Sequence, residues 1–102
     1  MITLADARAQ AGQTFRLTTD DPAAPLPLTL AEVRESSPGG SYCQFSLLFQ
    51  GPLEPSLVQQ TYLLSSDQLT QMPIFLVPVA ADAQHRYYQA IFSYPRTEQT
   101  SS

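Results

Sequence analysis

At 102 residues the chain is long enough for one small domain, and its nine acids, five arginines, single His, single Cys and complete lack of lysine rule out several chemistries. Without lysine there is neither a P-loop ammonium nor a Schiff base, and one His with one Cys makes neither a four-ligand zinc site nor an intrachain disulfide. A net charge of −4 with scattered arginines (Arg8, Arg16, Arg34, Arg86, Arg96) leaves no basic stripe for nucleic acid or for an anionic membrane surface.

The composition, 43% apolar and 14% charged, supports a single core. A domain of this size buries roughly 60–65% of its unfolded surface, so oligomerisation or docking on a larger body would add to a modest stability. The first residues, MITLADARAQAG, have no basic n-region and no continuous apolar h-region. No run approaches the ~20 apolar residues of a membrane span. Synthesis in the cytoplasm is expected.

Leu4 to Ala11 is the one helical candidate. Thr3 and Asp6 have the spacing of a capping box, and Gly12 stands where a helix-ending residue belongs. A helix of two turns is held only by packing, and Leu4, Ala7 and Ala11 share the face that would cover an end or edge of a sheet.

Nine prolines and four glycines cut the rest into short segments, the spacing of a small all-β domain. Gln13 to Thr19 alternates, with Phe15 and Leu17 in one phase, and Asp20-Asp21-Pro22 turns the chain. Leu26 to Glu35 has Leu28 and Leu30 in one phase and Val33 in the other, so a β-bulge near Ala31-Glu32 is required to bring Val33 inward. After the turn cluster SSPGGS, Cys43, Phe45, Leu47 and Phe49 define an inward phase, and Gly51-Pro52 is expected to stop the strand. Leu57 to Leu64 follows, with Tyr62 and Leu64 alternating against Thr61 and Leu63. Ser65 to Gln71 reads as an ordered polar loop or a single helical turn. Met72 to Ala80 is apolar in both phases and predicts a strand covered on both sides, with Pro78 at an edge or a bulge. Ala81 to His85 is a hairpin loop, and Arg86 to Tyr94 closes the fold with Tyr88, Ala90 and Phe92 in one phase. Residues 1–95 form the domain, and residues 96–102, RTEQTSS, have the composition of a flexible tail.

The predicted class is therefore mainly β: a six-stranded antiparallel meander forming a small barrel or sandwich, with one short N-terminal helix and sequence neighbours paired. Phe15, Phe45, Leu47, Phe75, Val77 and Phe92 are the expected core.

The runs FSLLFQGP (Phe45 to Pro52), QQTYLL (Gln59 to Leu64), FLVPV (Phe75 to Val79) and YYQAIFSYP (Tyr87 to Pro95), with TFRL (Thr14 to Leu17), resemble a family of small uncharacterised bacterial proteins. The family pattern is F-S-L-x-F-x-G-P, then Q-G-T-Y-x-L, L-F-L-V-P-V and Y-x-A-x-F. Gln60 replaces the Gly before the Thr-Tyr pair, and Leu69-Thr70 replaces a Leu-Gly turn. The resemblance implies an association with phage-tail-like collar and tail-fibre proteins, hence an accessory or structural role, with a final location in an extracellular or virion-like assembly.

Few residues offer chemistry. Cys43 and His85 are the one nucleophile–base pair to test, since a catalytic Cys needs a nearby imidazole; the phase of Cys43 instead marks a core thiol. The acidic pairs Asp20-Asp21 and Glu32/Glu35 are candidates for acid–base work or for calcium, but Asp20-Asp21-Pro22 reads as turn chemistry and no glycine-containing calcium loop of the EF type is present. Ser65-Ser66-Asp67 lacks a nucleophile-elbow context. No cofactor and no metal are expected. The aromatic residues are more informative, because tyrosines cannot all face inward on so small a sheet. If Cys43, Phe45, Leu47 and Phe49 point in, then Tyr42 and Leu48 point out, and Tyr87 and Ile91 do so on the last strand. These four residues, Tyr42, Leu48, Tyr87 and Ile91, are the expected contact surface for a protein partner or a second copy of the chain. The expected function is a non-enzymatic structural or protein-interaction module; the alternative is a small β-barrel binding an apolar small molecule.

Overall fold

The computed structural model describes residues 2–18, 25–36, 42–54 and 57–95. The turns expected at Asp20-Asp21-Pro22 and Ser37 to Ser41, the loop at Pro55 and the tail 96–102 lie outside them. Chain order is α1 (Leu4–Ala9), β1 (Thr14–Leu17), β2 (Leu26–Glu35), β3 (Tyr42–Pro52), β4 (Gln60–Ser65), β5 (Met72–Ala81) and β6 (His85–Pro95).

α1 begins with the capping box. The Thr3 hydroxyl accepts from the Asp6 N–H at 3.1 Å, and the Asp6 carboxylate accepts from the Thr3 N–H at 3.3 Å. These reciprocal bonds satisfy two donors that a helix start otherwise leaves free. The helix closes at Gln10, earlier than Ala11, and Gly12 takes φ +85°, a conformation that costs glycine little. Its N–H then donates to the Leu30 carbonyl at 2.8 Å, tying the helix end to β2. The buried face is Ile2, Leu4 and Ala7, whereas Ala11 is exposed. This packing explains how a helix of six residues persists.

The strands form a closed antiparallel barrel in the order β1-β2-β3-β6-β5-β4, sealed by β4 on β1. Sequence neighbours pair except at β3 and β4: β3 pairs with β6 along its whole length, from Tyr42↔Pro95 to Pro52↔His85. Gly51 and Pro52 therefore continue the strand instead of ending it. The two partners are the longest strands, 11 residues each, whereas β4 has six, so the β3–β6 pairing makes the longest ladder. The connection from β3 to β4 is pinned to β6 on the way, by Arg86 Nε donating to the Leu53 carbonyl at 2.8 Å and by the Leu57 N–H donating to the Tyr88 hydroxyl at 3.1 Å.

Both irregularities implied by the sequence are present. The β2–β3 register shifts between Leu30 and Glu32, and Val33 returns to pack against the core. The β5–β6 register shifts between Pro78 and Ala80. A bulge inserts one residue, which is what a reversed alternation needs.

The interior is filled by Phe15, Leu28, Leu30, Phe45, Leu47, Phe49, Leu64, Leu76 and Tyr88, all essentially without solvent contact. The expected core is corrected at three positions. Phe75 and Val77 lie on the outside, because β5 sends Ile74 and Leu76 inward and a strand alternates with period two. Phe92 is half-buried at the barrel's edge. The expectation that β5 is covered on both faces fails for a simple reason: α1, the one helix among the described residues, packs on β2 and β3. No described helix is long and apolar enough to cross a membrane.

Candidate interaction face

The β3–β6 register places the four surface candidates on one outer face. Residues directly opposite each other share a face, so the outward rows are Gln50 with Tyr87, Leu48 with Gln89, Ser46 with Ile91, Gln44 with Ser93 and Tyr42 with Pro95. Leu48 is thereby diagonal to both Tyr87 and Ile91, roughly 7–8 Å from each, within reach of one partner side chain. Ile91 is 72% exposed and Tyr42 57%. Leu48 and Tyr87 are half-buried by their neighbours. Tyr42 sits at the far end, four residues from Ser46, or about 14 Å along the strand.

The face is larger than these four residues. On β5 the outward phase is Pro73, Phe75 and Val77, with Phe75 49% exposed, and on β4 it includes Thr61 and the exposed Leu63. Thr61 opposes Phe75 and Leu63 opposes Pro73, which brings Leu63 and Phe75 into diagonal contact range. Four adjacent strands, β4, β5, β6 and β3, thus present an outer surface with no charged side chain in these rows. Charge resumes on β2, where Arg34 is ion-paired with Glu32. These two side chains, with Ser46, Leu48 and Gln89, line a depression of about 240 Å³ at the border of the face. Phe75 and Leu63 escape a reading from sequence alone because an apolar outward phase looks the same whether another element or a partner covers it. The signal lies in the count of elements: a strand apolar on both faces needs a second cover, and the described residues hold no element left to supply it.

The β5–β6 hairpin fixes the Tyr87 end of this face. Asp82 accepts from the Gln84 and His85 N–H groups at 2.9 and 2.8 Å and from the Tyr87 hydroxyl at 2.9 Å. These bonds, the Gln84 amide foremost, hold the Asp82 carboxyl below its ordinary pKa, and the same carboxylate raises that of Tyr87. Burial raises the pKa of the Tyr62 phenol, which donates to the Val58 carbonyl at 2.7 Å.

The residues examined for catalysis are not brought together. Cys43 opposes Tyr94 at one end of the β3–β6 ladder, and His85 opposes Pro52 at the other, nine residues or about 30 Å away. Cys43 is buried. Glu32 pairs with Arg34, and Glu35 with Arg8 at 3.3 Å. Ser66 is buried and donates to Gln10 Oε1 at 3.2 Å while accepting from the Leu69 N–H, and Asp67 pairs with Arg16 at 3.1 Å. These contacts tie the β4–β5 loop to α1 and β1. Among the described residues no group of three or more His, Cys, Asp or Glu is placed to hold a metal ion.

Neither a curated protein nor a solved structure matches this chain. One family profile does, across residues 2–92, and the chain accordingly belongs to the family described as a domain of unknown function, DUF6916.

Proposed function

We propose that this barrel is a non-enzymatic structural or protein-interaction module that binds a protein partner, or a second copy of itself, through the outer face of β4, β5, β6 and β3. The observation that carries the reading is the exposure of the apolar side chains Leu63 and Phe75 on β4 and β5 and of Ile91 on β6, in outward rows without a charged side chain, bordered by the Glu32–Arg34 pair. A free monomer normally carries mixed charge over its surface, whereas an apolar centre with a polar rim is the anatomy of an interface. The resemblance in sequence to proteins associated with phage-tail-like collars and fibres supports an accessory role in such an assembly.

The alternative is an apolar small molecule held by the barrel. Side chains already occupy its centre, and this favours the protein partner. The test uses the domain as bait against proteins encoded by adjacent genes, and sedimentation for self-association, with Leu48→Arg, Phe75→Arg and Ile91→Arg made singly. Loss of association with thermal stability retained supports the proposal. Unchanged association of all three variants overturns it.

A further inference from the structure

The barrel is not sealed equally all round. From the hairpin, β5 and β6 pair at Ala81↔Arg86, Ala80↔Tyr87, Pro78↔Tyr88 and Val77↔Gln89, and there the ladder ends. Beyond it Met72–Leu76 pairs with β4 only, and Ala90–Pro95 pairs with β3 only. The inward residues record the divergence. Tyr88 and Ala90 on β6 are buried but Phe92 and Tyr94 only half so, and on β5 Leu76 and Ile74 are buried but Met72 half so. At the wide end a cavity of about 340 Å³ is lined by Ile2, Met72, Pro73 and Phe92.

We propose that this seam is a strand-addition site, in which an extended, uncharged segment of a partner protein pairs with the β6 edge from Ala90 to Pro95. The proposal rests on the reading that the domain binds protein, but names a different surface and a chemical class of ligand. Alternate residues of a strand turn their N–H and C=O groups to opposite sides, so half of this stretch faces β3 and half faces the seam. A backbone edge is matched by another extended backbone, and side chains at every second position of the incoming strand would enter the apolar cavity.

The choice of β6 follows from how edges are normally blunted. Charge and proline serve that purpose, and β5 has Pro73, which lacks an N–H. Along the proposed edge β6 has no charge, and its one proline, Pro95, stands at the very end and leaves the N–H groups from Ala90 to Tyr94 in place. A second barrel is a poor occupant, because β5 flanks the seam and would meet the strands beside the incoming edge. A small apolar molecule could fill the cavity yet would leave the backbone groups unmatched.

The experiment uses the whole chain and a synthetic, end-blocked peptide copying residues 89–95, with a second peptide N-methylated at alternate residues. Backbone amide exchange followed by NMR should show fast and slow amides alternating along Ala90 to Tyr94 in the free protein. Addition of the peptide should slow the fast set at least ~10-fold, and the N-methylated peptide should not. Uniform protection in the free monomer overturns the open seam. Uniform protection with sedimentation as a dimer identifies a second copy as the occupant and overturns the proposal. Equal binding of both peptides marks an apolar groove without strand pairing, and absence of binding at millimolar peptide is equally fatal. Phe75→Arg distinguishes the two readings: partner capture lost in Phe75→Arg while the seam amides are uniformly protected leaves the outer-face interface standing without strand addition.

Discussion

Phe45 and Phe92 stack with ring centroids 5.2 Å apart and planes inclined by 18°, across the β3–β6 rung that also pairs their backbones. Phe45 has no solvent contact, whereas Phe92 is half-buried where β6 leaves β5. The two truncations should therefore differ. Phe45→Ala is expected to cost about 3–5 kcal/mol, and Phe92→Ala less, since part of its surface already meets solvent. Denaturant unfolding measures both, and equal costs would mean that the seam is closed in solution.

Most of the barrel was legible because alternation is a local property. The inward rows of β1 and β3 follow from period two, and the reversed phase of Val33 demanded the bulge that the register shift at Leu30/Glu32 supplies. Pairing partners are another matter. Nothing local in β3 states whether β4 or β6 will lie beside it, and the length match with β6 decides the issue only once the whole chain is considered. The same limit hides part of the proposed interaction face. Phase alone places Tyr42, Leu48, Tyr87 and Ile91 outward, but on β5 both phases are apolar and alternation cannot tell Phe75 from Ile74, and only the position of α1 shows which face lacks a cover.

Cys43 should behave as an inert core thiol. It is 2% exposed and lies in the inward row with Phe45 and Leu47, where the reaction of a thiolate with reagent requires opening of the barrel. Labelling of the native protein should be slow and should accelerate with denaturant. Cys43→Ala should cost of the order of 1 kcal/mol and leave partner binding unchanged. Fast native labelling would contradict this placement.

Gly51 lies within β3 with its α-carbon close to β2: a Cβ built there would come 2.6 Å from Leu28 Cδ2. Leu28 is itself fully buried, so its methyl has little room to yield. Gly51→Ala should destabilise by about 1–3 kcal/mol, the usual cost of overpacking. Combining it with Leu28→Ala should cost less than the sum of the two single changes, because the added methyl then occupies vacated space. A double-mutant cycle read by thermal unfolding checks this, and strict additivity would place the clash elsewhere.

The Asp82 hairpin gives a pH dependence whose sign is fixed by its two partners. Amide and phenol donors favour the ionised carboxyl, so the folded-state pKa of Asp82 lies below the unfolded one. Its contribution to stability is present above the ordinary carboxylate pKa and is lost as pH falls through the depressed value. For Tyr87 the bond favours the neutral phenol, so the folded pKa is raised; the contribution is present below the ordinary phenol pKa and is lost as pH rises through the elevated one. Tyr87→Phe removes one donor of three but leaves the Gln84 and His85 amides, which are the larger causes. The Asp82 carboxyl, followed by carbon-detected NMR titration, should therefore move part of the way back toward its ordinary value and stay below it. The hairpin should keep its register, because the amide bonds and the Ala81↔Arg86 pair remain. A complete return to the ordinary value would show that the phenol rather than the turn holds the carboxylate, and no movement would show that the Tyr87 ring is free to turn toward a partner on the outer face.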